Sequence, residues 1–196
     1  MNHEISSRIR SNATKLFELL KISDQIKTYG SLHFTGSYEL DLMTWNDIDM
    51  QIVANEGVNP MDMMTQLFTW ISHDKGFVEA QLIHFKDNYK PKMPRGIYLG
   101  VKVNYPEFGG IWKLDFWALA DADFEKNRTL IESLRSKLTD ENRKTILDFK
   151  QALMQSADRP PQMASHFLYQ AVLFDGIKDK LELCDYLCKK GVHAQL

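Results

Sequence analysis

The sequence predicts an α/β (α+β) protein: a mixed sheet with helices packed on it, followed by an all-helical C-terminal region. Three observations predict it. Over the first 120 residues, runs of helical and of two-residue apolar periodicity follow one another as helix, strand, helix, strand, helix, strand, strand, strand. The last two strand-like runs are joined by a hairpin-type connection around Pro106 to Gly110, so the sheet is expected to be of mixed direction. Beyond Ala120 the composition turns helical.

Each element has its own warrant. Ile5, Ile9, Ala13, Leu16, Leu19 and Leu20 recur at helical spacing between Lys and Glu, an amphipathic helix over 4–26 that Tyr29-Gly30 ends. Residues 31–35 form a short extended run into Gly36-Ser37. Residues 38–44 offer one or two helical turns, and Trp45-Asn46 turns the chain into the alternation Asp-Ile-Asp-Met-Gln-Ile-Val of a strand over 47–54. Pro60 fits the first turn of a helix over 61–73, with Lys75-Gly76 as its stop. Strands follow over 77–85, 96–105 and 111–119, the first two separated by the Pro- and Lys-rich stretch KDNYKPKMPRG. Helices are expected over 122–137, then over 139–156 with Thr139-Asp140-Glu141 as cap and first turn, and then over 162–174 and 177–190 after the break at Arg159-Pro160-Pro161. The chain is thus expected to divide into residues 1–120 and a helical domain, 121–196.

Composition narrows the function. With 44% hydrophobic and 26% charged residues in 196, the chain can bury a core and is not disordered. A formal charge of -2 gives no global pull toward nucleic acid, whose backbone selects clustered Lys and Arg. A polynucleotide partner is therefore disfavoured. The first 20 residues carry charges throughout, unlike a secretory signal, and no apolar run approaches the roughly 20 residues that cross a bilayer, so a cytoplasmic protein without a membrane partner is expected. Cys184 and Cys188 lie four apart on one helix face; with only His193 nearby they fall short of a zinc ligand set, and they read as reduced thiols.

One stretch carries chemistry. In FTGSYELDLMTWNDIDMQIV, Asp47 and Asp49 alternate on a strand and share one face about 7 Å apart, with Ile48 and Met50 turned to the core. Paired carboxylates repel unless they share a cation, and carboxylates holding two divalent ions serve enzymes that move phosphoryl or nucleotidyl groups. A third acid is available: Asp115 is alone in the apolar run GIWKLDFWAL, where burial without a partner would be costly. Gly36 allows close backbone approach to a phosphate, Ser37 adds a hydroxyl, and the amides opening the next helix point at the anion.

Gly-Ser, a short spacer, Asp-x-Asp in an apolar strand and a later single Asp in another strand resemble the signature of the DNA polymerase beta-type nucleotidyltransferase superfamily. GSYELDLMTWNDIDM further resembles small bacterial nucleotidyltransferase-domain proteins, in which a Leu-Met-x-Trp turn precedes the acids, and the chain's size and charge would fit an antibiotic nucleotidyltransferase of the superfamily. The match covers about residues 30 to 120. It departs where many small members have Arg-Gly soon after Gly-Ser; here the chain reads Tyr38-Glu39-Leu40-Asp41.

The resemblance implies a catalytic domain over 1–120 that binds a nucleoside triphosphate, with phosphates at Gly36 and Ser37. Asp47, Asp49 and Asp115 would act as metal ligands and catalytic residues, and the metal would be Mg2+ in a two-ion site, with Mn2+ as the alternative. The implied reaction moves a nucleoside monophosphate, most simply AMP from ATP, onto a small-molecule hydroxyl with release of pyrophosphate. The alternatives are an antitoxin-type adenylyltransferase acting on a protein, and a nucleotide-binding protein without turnover.

Lys113 shares a strand face with Asp115 and is the first choice among Lys113, Lys102 and Arg95 for a triphosphate contact. Trp45 and Trp117 are candidates for base stacking and His33 for a nucleotide contact, each set against a packing role. The loop from Lys86 to Arg95, with three lysines and an arginine, could cover phosphates or be solvated. Glu39 and Asp41 are expected to face solvent. His166, Phe167, Tyr169, Val172 and Leu173 form a helix face expected to pack on the sheet domain or on a second copy in a homodimer.

Overall fold

In the computed structural model, which describes residues 2–86, 94–156 and 163–193, the opening amphipathic run folds as two helices rather than one, α1 (Asn2–Leu19) and α2 (Ile22–Ile26). The break is at Lys21, which takes a left-handed conformation (φ 52°). Its apolar neighbours explain it, since Leu20 and Ile22 are both buried and a straight helix would turn one of them away from the core. The chain continues as β1 (Gly30–Thr35), the single turn α3 (Gly36–Glu39), β2 (Asp47–Ala54), α4 (Pro60–Ser72), β3 (Phe77–Phe85) and β4 (Gly96–Tyr105). A 3-10 turn, Pro106–Phe108, leads into β5 (Gly110–Leu119). α4 starts as its sequence predicts: Pro60 occupies the first turn, and the Asn59 side chain accepts a 2.8 Å hydrogen bond from the Met61 amide.

The sheet is mixed, as the hairpin signal predicts, with strand order β1-β2-β5-β4-β3. β2 and β5 run parallel and the other neighbours antiparallel. One face is apolar: Ile48, Met50, Ile52, Leu114, Phe116, Leu99, Val101 and Val103 are buried against Ala13, Leu16, Ile22, Met64 and Ile71 of α1, α2 and α4. Each such side chain contributes about 1.5–3 kcal/mol on burial, so this face carries the stability and frees the other for polar chemistry.

Helices α5 (Asp121–Ser136), α6 (Asp140–Ser156), α7 (Ala164–Leu173) and α8 (Lys180–Lys189) follow. Thr139 caps α6 by accepting from the Asn142 amide at 3.2 Å. α8 begins later than its apolar pattern suggests because Asp179 caps it, accepting from the amides of Leu181 and Glu182. By contacts the chain forms two compact units, Arg8–Ile131 around the sheet and Met1–Ser7 with Glu132–Leu196, a helical unit. Within the helical unit α7 packs against α6 and α8, with Tyr169, Val172 and Leu173 buried and Tyr169 accepting from the buried Lys150 ammonium at 3.1 Å. The break at Arg159-Pro160-Pro161 lies outside the described residues. Cys184 and Cys188 are free thiols. Among the described residues, no helix is long and apolar enough to cross a membrane.

Candidate active site

The polar face of the sheet is organised by register. Asp49 stands opposite Thr35 of β1 and Asp115 of β5, and Asp115 in turn stands opposite Gly100 of β4 and, through it, Gln81 of β3. One row toward the start of β2, Asp47 stands opposite Lys113, Lys102 and Glu79. One row beyond, His33, Gln51, Trp117, Tyr98 and Ile83 line up. Side chains alternate along a strand, so all three rows share a face. The parallel β2–β5 pair therefore assembles a square of Asp47, Asp49, Asp115 and Lys113.

Asp47, Asp49 and Asp115 each present a ligand oxygen within 4.8 Å of the others. All donors are hard carboxylate oxygens, the chemistry that suits Mg2+ or Mn2+ and not the softer metals. A second observation fits a cation here. The Lys113 ammonium lies on the acids, hydrogen-bonded to Asp115 Oδ2 and 3.7 Å from Asp47 Oδ1. Burial works against its charge, yet Asp47, Asp115 and Asp49 together hold the Lys113 pKa above its ordinary value. The pocket between these carboxylates is thus a place where positive charge is stabilised.

Gly36 is fitted to the same site. It adopts φ 60°, and a Cβ added there would lie 2.5 Å from Asp49 Oδ2. The β1–α3 turn passes so close to the Asp49 carboxylate that only glycine fits, in conformation and in space. Ser37 follows inside α3, its carbonyl accepting from the Leu42 amide at 2.8 Å.

Asp115 has a partner that the strand pattern did not announce. Tyr98 donates to Asp115 Oδ1 at 2.8 Å in a buried hydrogen bond. Its ring lies 4.8 Å from that of Trp117, and Trp117 stacks on Phe85 at 5.3 Å. Trp117 is thereby engaged in an aromatic cluster beside the acids. At the other edge, Asn127 of α5 donates to Thr35 Oγ1 at 3.2 Å, and Phe124 packs 5.0 Å from the His33 ring, whose Nε2 is 2.9 Å from Ser31 Oγ.

The remaining candidates are spread around this centre. Lys102 pairs with Glu79 at 2.6 Å, and Arg95 with Asp123 at 3.6 Å. Glu39 ends α3, and Asp41, with φ 57° and its amide donating to the Tyr38 carbonyl at 3.3 Å, lies in the turn that follows, 3.7 Å from Arg10. Between Lys86 and Pro94 the basic loop lies outside the described residues. Tyr98, Gly100 and Asn127 are the site residues that sequence reasoning missed. A glycine inside a central strand was the available signal, because it marks a close approach.

The mixed sheet carries a glycine turn beside the first of two parallel strands and an acid triad across that pair, the arrangement that the resemblance in the sequence implies. No protein-family model and no curated protein matches the sequence. Solved structures do. The chain is similar to GLD-2 in the GLD-2/RNP-8 complex, at 11% identity and a TM-score of 0.55, over 88% of this chain and 64% of that one. It is similar to Cid1, described as having RNA terminal uridylyl transferase activity, at 16% identity and a TM-score of 0.56, over 87% of this chain and 48% of that one. A Cid1 poly(U) polymerase bound to MgATP matches at 16% identity and a TM-score of 0.53, over 76% and 43%. The chain spans roughly half to two thirds of the length of these proteins.

Proposed function

We propose that this chain is a metal-dependent nucleotidyltransferase that moves a nucleoside monophosphate from a triphosphate onto an acceptor hydroxyl. The observation that carries the reading is the convergence of Asp47, Asp49 and Asp115 within 4.8 Å, beside a glycine that admits no side chain. Asp47, Asp49 and Asp115 would hold magnesium. When bound, the ions stabilise charge on the entering and leaving oxygens of an in-line displacement.

The chain's own residues do the rest. The backbone at Gly36 and the Ser37 hydroxyl seat the phosphates, and Lys113 contacts the triphosphate from the β5 side. Asp115 takes the proton of the acceptor hydroxyl as the acceptor oxygen bonds to the α-phosphorus and the bond to pyrophosphate breaks. ATP with a small-molecule acceptor is the first choice; a protein hydroxyl is the second. The solved neighbours favour one further reading, an RNA 3′ end, since the Cid1 chain is described as an RNA terminal uridylyl transferase. Against it stands the net charge of -2.

The experiment is transfer of label from each α-labelled triphosphate, with Mg2+ or Mn2+, to hydroxylated small molecules, to cell protein and to an RNA oligonucleotide. Label on one acceptor class identifies the substrate. Metal-dependent nucleotide binding without transfer to any acceptor supports the binding protein instead. Neither transfer nor binding overturns the proposal.

A further inference from the structure

We propose that Tyr98 is a positioning residue for Asp115, and that Gly100 is the gap through which it acts. The inference rests on the metal-site reading above and adds to it a residue outside the ligand set.

Tyr98 and Gly100 are two apart on β4 and so share the polar face, and Gly100 stands directly opposite Asp115. To reach Asp115 Oδ1 at 2.8 Å, the Tyr98 ring has to lie along its own strand across position 100. It can do so only over a glycine: a Cβ there would sit 2.3 Å from the Tyr98 oxygen and 2.7 Å from Cζ. The ring is held by Trp117 and lies 6.4 Å from Phe85. Gln81 stands opposite Gly100 on β3, on the same face.

The consequence is a division of labour between the two oxygens of Asp115. Oδ1 is tied to a fixed, neutral donor on the β4 side. Oδ2 meets Lys113, whose ammonium also lies 3.7 Å from Asp47 Oδ1, and a ligand oxygen of Asp115 lies within 4.8 Å of those of Asp47 and Asp49. A carboxylate so pinned offers one oxygen to a cation in one orientation, with its rotation already restricted before the ion arrives. Partners that orient metal ligands in this way typically change metal affinity 10- to 100-fold when removed.

The test uses the whole chain and Mg2+ alone, with Mn2+ in parallel, read as the rise in melting temperature with metal concentration; ligand that binds only the native state raises it by mass action. Tyr98→Phe keeps the ring and its packing and removes the donor. Gly100→Ala keeps the phenol and displaces it. Both are expected to weaken apparent Mg2+ affinity about 10-fold or more. A purely structural Tyr98 would lower the metal-free melting point of Tyr98→Phe and leave its Mg2+ titration superimposable on wild type, which overturns the proposal. If one variant fails to fold, the other reads the same quantity. A wild type that responds to neither metal overturns the metal-site reading itself, an outcome distinct from variants that titrate like a responsive wild type.

Discussion

Gly36→Ala isolates the fit between the glycine turn and the acid beside it. Two costs are separable. Placing a Cβ at φ 60° costs about 1 kcal/mol for an L residue anywhere in a protein. The second cost is local: the new methyl would lie 2.5 Å from Asp49 Oδ2 and 3.3 Å from its Cγ, so the carboxylate must rotate out of its position, at a further ~1 kcal/mol if it leaves its rotamer. Gly57 supplies the control, with φ 79° and nothing within 4 Å of an added Cβ. For a chain of this size 1 kcal/mol moves the melting point by about 2–4 °C. Gly57→Ala should therefore lose about 2–4 °C and keep its full response to Mg2+, and Gly36→Ala should lose roughly twice that and its Mg2+ response together. Thermal melting across a Mg2+ titration reads both numbers. Equal losses in the two variants, with both Mg2+ responses intact, would show that Asp49 is not held where the turn needs it and would refute the reasoning.

Asp47→Asn and Asp49→Asn remove a charge from the polar face and nothing from the apolar one, so both should fold with near-native circular dichroism and lose metal-dependent melting shifts and nucleotide transfer. Unfolding of both would assign these acids a structural role. Lys113→Met leaves three carboxylates without the ammonium that now lies on two of them; its metal-free melting point should fall and its Mg2+-dependent rise should exceed that of wild type, both measured in one titration. Burial holds the His166 pKa below its ordinary 6.5, so below about that pH the unfolded chain binds more protons than the folded one. Stability should accordingly be constant above that point and decline as pH falls through it, and His166→Gln should flatten the melting-point profile between pH 7.5 and 5.

How much of this was legible in the sequence follows from what a strand pattern can encode. Alternation tells which face a side chain takes, and on that basis Asp47, Asp49, Lys113 and Asp115 were each placed correctly on a polar face, with Ile48 and Met50 in the core. Turn and cap residues mark the start of α4 at Pro60 and of α6 at Thr139 for the same local reason, while the Asn59 cap of α4 is seen only in the structure. Pairing is another matter. Nothing within 111–119 says that Asp115 stands across from Asp49 on one side and from Gly100 on the other; that depends on the parallel register of β2 with β5 and the antiparallel register of β5 with β4. In the sequence alone Tyr98 is one more aromatic residue in an apolar strand and Gly100 a single glycine within it, and each explains the other only once the register is known. The break at Lys21 escaped for a related reason, since helical spacing continues through Leu20 and Ile22 and only the core behind them decides that both must be buried. The acids could be found from their own positions along the chain, whereas the groups that orient them are defined by what lies opposite, and that belongs to the folded sheet.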